Sequence, residues 1–288
     1  ASSSAEDTTK ADPHAKFSEH DKPHYNPKHF DYSKHNGPAS WPKMFHLCGG
    51  HSQSPVILDT TTAVTQHQPR ILWWNYFLKP RAMTLSNNGH TVVLTAKWAR
   101  EEDKPYHWSP PLKDEYVFDQ LHFHWGSDDR TGSEHALNNE RFALEMHVVH
   151  HLRKYKTLEH AGHEPGGIRV IGFFFRISDR EHNNTGLQEV VDLLQAVRLA
   201  DTSTVVTEPF PISRLVPEFS SQYFTYNGSL TTPPCAETVS WVIRKEPLTV
   251  SRQQIEEFRN LADHSGQTIK MNYRPVQPLY GRTVLQIR

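Results

Sequence analysis

The stretch FDQLHFHWG, Phe118 to Gly126, sets two histidines two positions apart in a run of aromatic and aliphatic residues. Successive side chains on a strand point to opposite faces. The pattern therefore predicts Phe118, Gln120, His122 and His124 on one face, and Asp119, Leu121, Phe123 and Trp125 on the other. Two imidazoles on one face, about 7 Å apart at roughly 3.3 Å of rise per residue, can converge on one ion. A third ligand has to come from another strand.

The best source is FALEMHVVHH, residues 142 to 151, where alternation puts Ala143, Glu145, His147 and Val149 on one face. His122, His124 and His147 would offer three neutral nitrogens and leave the fourth tetrahedral position of zinc for water, as in a catalytic site. Metal-bound imidazoles donate their second nitrogen to a carboxylate or carbonyl, and Gln120 and Glu145 are spaced for that. Glu145 would be costly to bury beside valines without such a partner. Downstream, YNGSLTTPPCAE (Tyr226 to Glu237) places Thr231 and Thr232 before two prolines, in a stiff segment able to hold a hydroxyl at a fixed distance from a metal.

The rest of the chain bounds the class. Its 14 Phe, 10 Tyr and 7 Trp suffice for a large core, and no apolar run is long enough to span a membrane. With 31 basic and 32 acidic side chains the net charge is -1, so no long-range field invites nucleic acid or anionic lipid; the expected partner is small or uncharged. Residues 1 to 30 are polar and aperiodic and are expected to form a loosely ordered extension, with residues 31 to 288 as one domain. Short β-type runs then dominate: ILWWNYFL, TVVLTAKW, YVFDQLHFHW, FALEMHVVHHL, IRVIGFFFRI and TVSWVIRK. Two helices are expected, over 186 to 199 and over 252 to 262, the latter with Ser251 and Gln254 as a capping box. Cys48 and Cys235 are compatible either with free core thiols or with one long-range disulfide. The chain opens ASSSAEDTTK, which fits a mature product with its signal removed or simply a shortened chain, and Asn183 and Asn227 head sequons for N-glycosylation.

The motifs HFHWG, GSEHALNNERFALEMHVVH, SLTTPPCAE and NYRPVQPL, joined by DYSKHNGP, QSPV and NNGH, occur in the order of an alpha-class carbonic anhydrase. The chain resembles that family from about Tyr32 to its C-terminus. The resemblance implies a mainly β, single-domain fold on a large, twisted, mostly antiparallel sheet with a few surface helices. It implies zinc held by His122, His124 and His147 at the foot of a conical cleft, with a zinc hydroxide that attacks carbon dioxide to give bicarbonate and a proton. By the same resemblance Thr231 and Glu134 orient the hydroxide, and Val149, Val170, Leu230, Val239 and Trp241 form the apolar substrate wall. Thr232 contacts bicarbonate, while Gln120, Glu145 and the carbonyl of Asn272 support the ligands. His90 exports the proton along a route lined by Tyr32 and Asn88. Val93 stands where efficient members usually carry Asn or Gln. Sulfonamide-type and anion inhibitors are expected. Cys48 and Cys235 match the two positions bridged in extracellular members, which implies a disulfide and a protein that is secreted, or held on the outer cell surface through a removed C-terminal signal. A noncatalytic recognition module and a histidine-based metal store are the rival classes, and metal stoichiometry separates them.

Overall fold

The computed structural model describes residues 30–67, 70–110 and 112–288. Of the expected extension only Phe30 is among them, and its ring packs edge-on against Trp41 at 5.4 Å between centroids. The remainder of that stretch lies outside the described residues.

Seven strands carry the centre of a 13-stranded sheet. They are β1 (Ala82–Asn87), β2 (Val92–Lys97), β3 (Leu112–Trp125), β4 (Leu144–Leu152), β5 (Ile168–Ile177), β6 (Tyr223–Gly228) and β7 (Val239–Arg244). Their spatial order is β1-β2-β3-β4-β5-β7-β6, extended beside β1 by Thr202–Val205 and beside β6 by Leu285–Ile287 and Val64–Gln66. The long pairings from β1 to β5 are antiparallel, as expected. The sheet is nonetheless mixed: β5 runs parallel to β7 and to Leu248–Val250, and Leu285–Ile287 runs parallel to Val64–Gln66.

The strand β4 is buried at every position, which explains why its sequence is apolar apart from its histidines and Glu145. Leu144, Met146 and Val148 enter the larger core, together with Leu121, Phe123 and Trp125 of β3. Val149 enters a second core on the opposite side of the sheet, with Val170, Val239 and Trp241. Two helices close the larger core: α1 (Thr185–Leu194) through Leu187, Val190, Val191 and Leu194, and α2 (Arg252–Arg259) through Ile255 and Phe258. This leaves the second face for chemistry.

Three local expectations change. The helix expected to reach residue 199 ends at Leu194 and tightens into a 3-10 turn over Gln195–Val197. The helix expected to reach 262 ends at Arg259, although its Ser251/Gln254 capping box is present as expected. In ILWWNYFL only Leu72–Trp74 forms a strand, because Asn75 adopts a left-handed backbone with φ 65° and ends it. A fourth change bears on the histidine face. The β3–β4 register shifts between Phe118 and Gln120, a bulge that turns Phe118 away from the histidines and into the larger core. Asp119, expected on the face of Leu121, Phe123 and Trp125, accepts a hydrogen bond from His151 Nδ1 at 2.8 Å.

Candidate metal centre and proton path

The β3–β4 register sets His122 directly opposite His147, and His124 opposite Glu145. With both strands presenting these positions to the second face, the three imidazoles cluster, their ring centroids 4.5 to 5.3 Å apart. One nitrogen of each can be chosen so that all three lie within 4.8 Å of one another.

The other nitrogen of each ring is already engaged. His122 Nδ1 lies 2.9 Å from Gln120 Oε1, His124 Nδ1 lies 2.8 Å from the carbonyl oxygen of Asn272, and His147 Nε2 lies 2.7 Å from Glu145 Oε1. Each acceptor fixes a tautomer with its proton on that nitrogen. The lone pairs left to face one another belong to Nε2 of His122, Nε2 of His124 and Nδ1 of His147. His124 Nε2 is buried with no hydrogen-bond partner, a costly state for a polar atom unless something else occupies its lone pair. Burial, then the neighbouring His124 and His147, push His122 well below the ordinary imidazole value, and burial lowers His124 as well. Neutral rings are the form a divalent ion requires. The donor set fits zinc.

Glu145 is fully buried. Burial by itself would raise its carboxyl, but the charges and hydrogen bonds of His135 and His147 hold it well below the usual carboxylate range. Its Oε2 accepts the backbone N–H groups of Glu134 and His135, both at 2.8 Å, and its Oε1 also lies 2.7 Å from His135 Nδ1. The far nitrogen of His135 reaches the Tyr226 hydroxyl at 2.7 Å. His135 and Tyr226 therefore anchor Glu145, a role the residue pattern gave no sign of. Arg274 was also missed: its N–H donates to Glu134 Oε1, while its buried guanidinium donates to Gln53 Oε1, Ser54 O and Cys48 O.

Val149, Val170, Leu230 and Trp241 line a cleft of about 550 Å³ that also reaches His122, His147, Thr231 and Thr232. Val239 stands behind this wall, packed in the second core with Trp241. Glu134 and Thr231 are both buried, but no hydrogen bond joins them, and Glu134 Oε2 has no hydrogen-bond partner. A second cavity of about 250 Å³ is lined by Tyr32, Asn88, His90, Val93, His122 and Thr232, among others. It joins the ligand cluster to His90. The ring of Phe30 stacks on His90 at 4.1 Å between centroids, a contact outside the expected domain start. Burial, then the nearby Glu134, raise the Tyr32 phenol well above its ordinary value, so it stays protonated in this cavity.

Cys48 and Cys235 form a disulfide across 187 positions, with Cα atoms 4.9 Å apart. Both sequon asparagines are exposed, Asn183 before α1 and Asn227 on β6. No helix among the described residues is long and apolar enough to cross a membrane.

Comparison with known proteins agrees with this geometry. Residues 36–288 match the model of the eukaryotic-type carbonic anhydrase family. Carbonic anhydrase 7 of Mus musculus is 36% identical over 260 residues, covering 88% of this chain and 95% of that protein. Carbonic anhydrase 3 of Mus musculus is 36% identical over 264 residues, covering 89% of this chain and 97% of that protein. A match running through both faces of the sheet and every strand that carries one of the three clustered histidines places the chain in the eukaryotic-type carbonic anhydrase family.

Proposed function

We propose that the protein catalyses the zinc-dependent, reversible hydration of carbon dioxide to bicarbonate and a proton. The observation that carries this reading is the trio His122, His124 and His147, each with one nitrogen saturated and one turned inward, at the foot of an apolar cleft. Zinc held by three such nitrogens lowers the pKa of water enough to supply hydroxide near neutral pH, the established property of carbonic anhydrases.

The chain's own residues do the remaining work. Val149, Val170, Leu230 and Trp241 offer a small, uncharged substrate a dry wall beside the ligands. Thr231 would orient the nucleophile by accepting its hydrogen bond once its own hydroxyl turns to the partnerless Glu134 Oε2, a bond not formed in this structure. Thr232 contacts the bicarbonate product. Gln120, Glu145 and the Asn272 carbonyl hold the ligand rings in orientation. His90, at the far end of the smaller cavity, takes the product proton, and Val93 in that cavity offers no hydrogen bond to the water on the way. Sulfonamide-type and anionic inhibitors belong in the larger cleft. The disulfide and the two exposed sequon asparagines support an extracellular protein, secreted or attached to the outer cell surface.

The decisive experiment is stopped-flow measurement of carbon dioxide hydration with and without a zinc chelator, alongside metal analysis. One zinc per chain and loss of rate on chelation are expected. His147→Ala leaves two protein ligands and should lose both zinc and rate. Full zinc occupancy in that variant would refute the ligand assignment, and full activity of metal-free protein would refute the mechanism.

A further inference from the structure

We propose that His264 is a second proton-relay group, taking the proton from His90 and delivering it to buffer at the surface. This rests on the reading of His90 as the residue that receives the product proton.

The observation is a row of groups leading outward. The His90 ring lies between Phe30, stacked on one side, and His264, which meets it edge to face at 5.5 Å between centroids. His264 Nε2 in turn lies 3.4 Å from Asp201 Oδ1. Three separate loops supply His90, His264 and Asp201, and one buried residue, Asn87, ties them together. The Asn87 side-chain amide donates to Ala262 O at 3.0 Å and to Arg198 O at 3.3 Å, while its backbone carbonyl accepts the Asp201 N–H at 2.8 Å. Asn87 is 1% exposed, so the tie is protected from water. Gly89 completes the fit: a Cβ built there would stand 2.1 Å from His264 Cε1. The His264 ring is therefore seated against the glycine of the loop that carries His90.

Two cavities meet at His90. His90 lines the inner cavity that reaches His122 and His124, and it also lines an outer one of about 590 Å³ with Gly89, Asp31, Asp263 and Lys270. His90 thus faces both the inner cavity and an outer one that runs past Gly89, the residue against which the His264 ring is seated. Each hydration converts CO2 and H2O into bicarbonate and one proton. In the relay step an N–H bond of the His90 imidazolium breaks, directly or across one bridging water, and an N–H bond forms on neutral His264. A buffer base then removes that proton. Imidazole suits both stations because one ring nitrogen can accept a proton while the other releases one, and the Asp201 carboxylate lies beside the His264 ring.

The test uses full-length zinc-loaded enzyme and the variants His264→Ala, His90→Ala and the double variant, assayed for hydration in dilute and concentrated imidazole buffer. His264→Ala should lower kcat in dilute buffer by about threefold or more, below the usual range for a group acting on the reacting atoms, with kcat/KM unchanged and the loss restored by imidazole. In series, the double variant should be no slower than His90→Ala. Losses that multiply would mean that His264 acts apart from His90 and would overturn the relay. So would an unchanged kcat in His264→Ala while His90→Ala is slow, or a fall in kcat/KM, which marks structural damage. If His90→Ala itself is as fast as the parent, the reading of His90 fails first and the relay with it. A second measurement avoids turnover: in zinc-free protein, NMR titration of the His90 ring should be coupled to His264 and simplify to a single step in His264→Ala. An identical His90 curve in parent and variant would overturn the contact's role.

Discussion

His147 Nε2 lies 2.7 Å from Glu145 Oε1, and the same oxygen lies 2.7 Å from His135 Nδ1. One carboxylate oxygen thus fixes the tautomer of a ligand while being fixed itself by a histidine that has no part in the ligand trio. The orientation of the inward-facing His147 Nδ1 is set from two residues away along the same strand, on a group 0% exposed.

Glu145→Gln keeps the shape but replaces the anion with an amide whose NH2 can meet His147 Nε2–H. Zinc affinity should fall by roughly 10- to 100-fold, the usual cost of losing an outer partner of a metal ligand. Competition with a chelator of known affinity measures it. Affinity equal to the parent would remove Glu145 from the support of His147.

Thr231→Ala should retain zinc and lose rate, because no ligand nitrogen depends on Thr231 while Glu134 Oε2 is left without its proposed donor. The rate loss should appear in both kcat and kcat/KM. Metal content and hydration kinetics on the same sample separate the two effects, and full rate at full occupancy would exclude the orienting role.

Removing the Cys48–Cys235 bridge opens a loop spanning 187 residues, on the order of 5 kcal/mol of stability in the chain-entropy model. Thermal unfolding of a Cys48→Ser/Cys235→Ser variant should show a clearly lower Tm. Cys235 N–H also donates to Thr232 O at 2.9 Å, so the Thr231–Thr232 segment should loosen and activity should fall before global unfolding. Two free thiols in the native protein by mass spectrometry would overturn this prediction.

Burial holds His150 down from the ordinary 6.5 to about 3, with Nδ1 donating to Arg169 O and Nε2 2.5 Å from the Tyr76 hydroxyl. Its neighbour His107 is pushed well below the ordinary value, by burial first and by His150 second. Below about 6.5 the unfolded chain binds protons at these rings that the folded chain does not. The stability is therefore whole above about 6.5 and declines as pH falls towards 3, by up to about 1.4 kcal/mol per pH unit for each such histidine. Urea unfolding from pH 7 to pH 4 should show this slope, reduced in His150→Gln. Parallel curves for parent and variant would assign the acid sensitivity elsewhere.

Alternation along single strands already revealed much of this site. That His122 and His124 look the same way, and that Gln120 and Glu145 stand behind their ligands, follows from a period of two, which is a property of the strand itself and is written in neighbouring residues. The mostly β class and the α2 capping box are legible because they too are written in neighbouring residues, whereas the Val149 and Trp241 wall came from the resemblance to the family. Even this local rule fails at Phe118, because a bulge is a mismatch with the partner strand and one strand's pattern does not encode its partner's register. What joins distant segments was decided only by the tertiary structure. The Asn272 carbonyl reaches His124 across 148 positions, Arg274 meets Glu134 across 140, and Asn87 ties the loops of Arg198 and Ala262 so that His90 and His264 touch. Backbone groups look alike in every sequence, and a contact between loops depends on how the whole sheet twists and packs, so these relationships exist only once the chain has closed on itself.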